Sequence, residues 1–70
     1  MTKERFVRNR LSPLLMDAYP EVLGVTYEES KKAESVDIYY RDGVVVKVDV
    51  TGDSIPALIS DVLDKVVFYE

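Results

Sequence analysis

The chain reads as an α+β domain of order αβββα, a three-stranded antiparallel meander with both helices packed on one face. Three observations predict it. Apolar residues recur at helical spacing near both ends of the chain. Between those ends they alternate with polar residues in three short runs, the period of a half-buried strand. The connections between the runs are only a few residues long, which joins neighbouring strands antiparallel. Seventy residues hold one such unit, so residues 1–70 are read as a single domain.

The first helix is expected over residues 3–18. Val7, Leu11, Leu14, Leu15 and Ala18 form its apolar stripe, and Thr2 is placed to cap it. Tyr19-Pro20 ends it, because a residue before proline avoids the α region. Pro13 is the difficulty: inside a helix it removes a hydrogen bond and meets the carbonyl of Asn9. One helix kinked at Pro13 is the expectation, against an alternative in which Ser12 caps a second short helix.

A strand follows over Leu23–Glu28, where Val25 and Tyr27 alternate with Thr26 and Glu28. The polar run Glu29-Ser30-Lys31-Lys32-Ala33-Glu34 reads as a mobile loop. The next two strands, Ser35–Tyr40 and Val44–Val50, enclose Arg41-Asp42-Gly43. A two-residue Asp-Gly turn would set Ile38 against Lys47, mixing the two faces. A three-residue loop pairs Tyr40 with Val44, Ile38 with Val46 and Val36 with Val48, so every apolar residue shares one side. That loop needs Gly43 in the left-handed region, and it sets Asp37 against Lys47 on the outer face.

The last helix spans about residues 54–68. Ile55, Leu58, Ile59, Val62, Leu63, Val66 and Val67 form its stripe, and Asp53 or Ser54 caps its start. Phe68 and Tyr69 lie past the last core turn, placed to cover a sheet edge or join a dimer contact.

Composition excludes several functions. Cysteine and histidine are absent, which rules out disulfides, a Cys- or His-based metal site and the commonest general base. Gly52-Asp53-Ser54 lacks a base to activate its serine, and reads as a strand exit and helix cap. The acid pairs Asp49/Asp53, Asp61/Asp64 and Glu28/Glu29 read as solvated surface, because carboxylate catalysis needs two acids facing across a cleft. No enzyme activity and no cofactor are expected. No apolar run approaches the length of a membrane span, and MTKERFVRNR has no signal-like apolar core, so a cytoplasmic protein without a membrane partner is expected.

The net charge is −4, divided as +3 over residues 1–10 and −7 over residues 11–70. The element order resembles that of double-stranded-RNA-binding domains, which hold phosphates with a basic cluster at the second helix start. Here that start is Gly52-Asp53-Ser54-Ile55-Pro56-Ala57, with no base, so nucleic acid is not an expected partner.

The sheet face away from the helices would show Thr26, Glu28, Asp37, Tyr39, Val45, Lys47 and Asp49. An aromatic and aliphatic centre, Tyr39 and Val45, within a charged rim is typical of interfaces. The stretch Val48-Asp49-Val50-Thr51-Gly52-Asp53-Ser54, followed by Ala57, Ile59, Asp61 and Val62, resembles the C-terminal half of small uncharacterised proteins encoded by phages and prophages of Gram-positive bacteria. The resemblance implies a phage-type accessory protein and supplies no site residues. The expected function is therefore a small interaction protein that binds a protein partner, or itself, through the open face. The alternative is an acidic nucleic-acid mimic that occupies the basic groove of a host nuclease or defence complex.

Overall fold

The computed structural model describes residues 1–69; Glu70 and the Tyr69 side chain lie outside the described part. A helix over residues 3–18 is followed by strands Val22–Glu29 (β1), Glu34–Tyr40 (β2) and Val45–Asp49 (β3), and by a C-terminal helix, Ile55–Tyr69. The sheet is antiparallel in the order β1-β2-β3, so β2 is central.

The N-terminal helix begins at a Thr2 cap, whose hydroxyl accepts the Arg5 N–H at 3.2 Å. It meets Pro13 in a way not anticipated. Ser12 does not cap a restart there; the helix widens ahead of the proline into a π-helical turn, Val7–Leu11, where the Ser12 N–H donates to the Val7 carbonyl. In that geometry residue 13 owes no N–H to Asn9, and the ring has the room an α-turn would deny it. Ser12 is thereby free of capping, and its hydroxyl accepts the Val25 N–H of β1 at 3.0 Å. The buried spine is Val7, Leu11 and Leu15; Leu14, expected inside, is 60% exposed, and Ala18 is exposed as well. Three turns that share a step of four leave the three-step position on the wet side.

β1 starts one residue earlier than expected and ends one later. Its partners run Val22 to Tyr40 and then Gly24 to Tyr39, so Leu23 is an extra residue. This bulge lets Val22 and Val25 both face the core although three positions separate them. The segment expected as a mobile loop is shorter: Glu29 and Glu34 pair with each other, and only residues 30–33 turn. Ser30 closes that turn, its N–H donating to the Ala33 carbonyl at 2.8 Å and its hydroxyl accepting the Ala33 N–H at 3.2 Å.

The β2–β3 hairpin has the expected register: Ile38 faces Val46, Val36 faces Val48 and Asp37 faces Lys47. Gly43 sits at φ 90°, a conformation that a β-carbon would disfavour. Beyond β3, a turn from Val50 to Asp53 uses Gly52 at φ 75°. Ser54, rather than Asp53, caps the last helix by accepting the Ala57 N–H at 3.3 Å.

Both helices lie on one sheet face. Val7, Leu11 and Leu15 from the first helix, and Leu58, Val62 and Val66 from the last, join Val22, Val25, Val36, Ile38, Tyr40, Val48 and Val50 in one core. The stripe of the last helix is narrower than expected: Ile55, Ile59 and Leu63 are half-buried, and Val67 is 57% exposed. Its buried residues recur every fourth position because it rests on β3 at the edge of the sheet rather than across the sheet's centre.

Val48→Asp, which buries an unpaired charge, is expected to destabilise the domain by more than about 3 kcal/mol. Val45→Thr on the opposite face should leave the thermal midpoint nearly unchanged. Equal melts for the two variants would show the strand to be turned over.

Candidate functional site

The alternation of β1, β2 and β3 places the expected residues together on the face without helices. Thr26, Asp37 and Lys47 form one row across the three strands, with Tyr39 facing Val45 on one side and Glu28, Ser35 and Asp49 aligned on the other. Thr26, Glu28, Val45, Lys47 and Asp49 are exposed.

Two residues of the set are not exposed as expected. Asp37 is 4% exposed. It stands on the central strand, where side chains from both neighbours screen it, and the ammonium of Lys47 lies over it at 3.4 Å from Oδ1. Tyr39 is half-buried, and the Thr26 hydroxyl donates to its phenol oxygen at 3.5 Å.

Lys47 also reaches Glu28 at 3.8 Å and donates to the Ser35 hydroxyl at 3.5 Å. Its charge is committed to the middle of the face. One end remains apolar, with Val45 51% exposed beside Tyr39. The other end is acidic. A hollow of about 450 Å³ opens there, lined by Glu28, Glu29, Glu34, Asp49 and Lys47 among others. Asp49 accepts both the N–H and the hydroxyl of Thr51, at 3.0 and 2.6 Å. These bonds hold its carboxyl below the usual carboxylate range, so it stays charged.

The back of this hollow holds the residue that sequence reasoning missed. Glu34 opens β2, and its carboxylate gathers donors from three other parts of the chain. Lys3 of the N-terminal helix donates at 2.9 and 3.0 Å, the Tyr27 hydroxyl of β1 donates to Oε2, and the Gly52 N–H beyond β3 donates to Oε1 at 3.1 Å. The hydrogen bonds from Tyr27, Lys3 and Gly52, in that order, pull its pKa down to about 2. Burial, then the bond to Glu34, pushes the Tyr27 hydroxyl up, so it remains a donor. Glu34 sits in a polar run that reads as loop, and no local pattern marks it. The available signal was Tyr27, an inward strand position carrying a hydroxyl that needs an acceptor.

Asp53 behaves oppositely. A hydrogen bond to Asp61 first, then burial, raises its pKa. Among the described residues no three acidic side chains converge to hold a metal ion, and no helix is long and apolar enough to cross a membrane. Compared with models of known families, with curated proteins and with solved structures, the chain finds no match in any of the three.

Because the folded state depresses the Glu34 pKa, its contribution is complete above about 4.5 and is lost as pH falls towards about 2. Denaturant midpoints should therefore drop over that interval, and Glu34→Gln should flatten that part of the profile. Lys47→Met strands the Asp37 carboxylate and is expected to cost about 1–3 kcal/mol. Asp37→Asn in the same chain should restore part of this loss, as read by chemical denaturation.

Proposed function

We propose that the chain is a small non-enzymatic interaction protein of the cytoplasm, a phage-type accessory protein as its strand-to-helix junction suggests. It holds a protein partner on the open sheet face. The division of that face carries the reading. Lys47 is drawn onto Asp37 and Glu28, leaving an apolar end at Tyr39 and Val45 and an acidic end at Glu28, Glu29 and Asp49. A partner of matching chemistry sets an apolar side chain against Val45 and a lysine or arginine in the hollow some strand residues away. Apolar centres provide affinity in such contacts, and charged rims provide orientation. Glu34 has no share in catalysis in this reading, since its two oxygens are occupied by structural donors.

The test is affinity capture from a bacterial lysate on the immobilised chain, at low and at high salt, beside the folded variant Val45→Asp. A specific protein that survives high salt on the wild type and is lost from the variant supports the reading. Identical capture by both chains refutes it. Capture that disappears with salt and ignores Val45 would assign binding to the acidic surface, as a nucleic-acid mimic requires.

A further inference from the structure

We infer that two copies of the chain pair through the free edge of β3, antiparallel about a two-fold axis at Val48, extending the three-stranded sheet to six strands. This contact uses the backbone of β3, with Lys47 and Asp49 at the margin of the open face, and does not depend on the partner proposed above.

The two edges of the sheet are not equivalent. On β1 the outward Val25 N–H is taken by the Ser12 hydroxyl at 3.0 Å, and the bulge at Leu23 interrupts the ladder. Both are devices that block strand addition. On β3 the inward positions are known from the hairpin bonds: the Tyr40 N–H donates to the Val44 carbonyl at 2.9 Å, and the Val50 N–H to the Glu34 carbonyl at 3.0 Å. Antiparallel alternation then turns the N–H and carbonyl groups of Val45, Lys47 and Asp49 outward. Among the described residues no side chain or helix bond closes them.

The register follows from charge. An axis at Lys47 sets Lys47 against its own copy, and an axis at Val46 sets it against Val45. An axis at Val48 sets Lys47 against Asp49 of the second copy, and Asp49 against Lys47, so both outward pairs are opposite charges. Each of those pairs exchanges two backbone hydrogen bonds. On the helix side, a groove of about 540 Å³ lies between β3 and the last helix, lined by Lys47, Asp49, Asp61, Asp64, Lys65 and Phe68 among others. Phe68 is 87% exposed in the single chain. Pairing at Val48 sets the second copy's β3 edge beside that groove and the exposed ring.

Sedimentation from micromolar to millimolar chain, with amide exchange followed by NMR over the same range, tests the pairing. The expected result is a mass that rises to twice the monomer, with the Lys47 and Asp49 amides slowing in step. A monomer throughout overturns the inference, and so does a dimer in which those two amides exchange at unchanged rates. Asp49→Lys should weaken the dimer by about tenfold or more, because two attractive pairs become repulsive. Asp49→Asn, which keeps an oxygen for Thr51 and so keeps the fold, should weaken it less. A dimer as tight as the wild type in either folded variant would also overturn the register.

Discussion

The carboxylate of Glu34 is the constraint on which the arrangement of the other elements depends. A domain of this size has little core to spare, and without cysteine no disulfide supplements it. The sheet alone does not determine where its two helices lie along it. Glu34 does so, by taking the Lys3 ammonium at the start of one helix and the Gly52 N–H just before the other, with the Tyr27 hydroxyl between. Its own backbone is held in turn, the N–H by the Thr51 hydroxyl at 2.9 Å and the carbonyl by the Val50 N–H at 3.0 Å. Charge-assisted bonds to a largely screened carboxylate are worth more than the exposed ion pairs elsewhere on the chain.

What was legible in the sequence was whatever depends on period and turn chemistry. The β2–β3 hairpin is the clearest case: alternation and Gly43 together allow one register, and β2 and β3 pair in it. The helices were legible as amphipathic segments, but which stripe residue goes inside depends on what each helix rests on. Leu14 and Val67 end outside for that reason. The π-turn before Pro13 was out of reach, because the sequence states the conflict without stating its resolution.

The open face was legible as a set and misread in its depth. Asp37 and Tyr39 alternate as outward residues, and they do point outward. Period says nothing of lateral screening, however, and the central strand receives it from both sides. Alternation predicts Lys47 as a cross-strand partner of Asp37; its further reach to Glu28 and Ser35 divides the face into unlike ends. Glu34 was invisible, since a polar residue in a polar run carries no periodic signal, and its partners lie 31, 18 and 7 residues away.

Those separations have a kinetic meaning. The β2–β3 hairpin closes over a three-residue loop and can form early, whereas the Lys3–Glu34 bond closes a loop of much of the N-terminal half of the chain. Contacts of long span form late, after the chain has already been drawn together. The Lys3 arm of the Glu34 clasp, closing 31 residues, is expected to form on the descent from the transition state, whereas the Tyr27 arm, closing 7, can form with the β1–β2 hairpin. Loosening the Lys3 arm leaves the folding rate nearly as it was and speeds escape from the native state. The Lys3 arm at the polar corner is therefore expected to bear on how long the domain stays folded, and the short-range hairpin on how fast it forms.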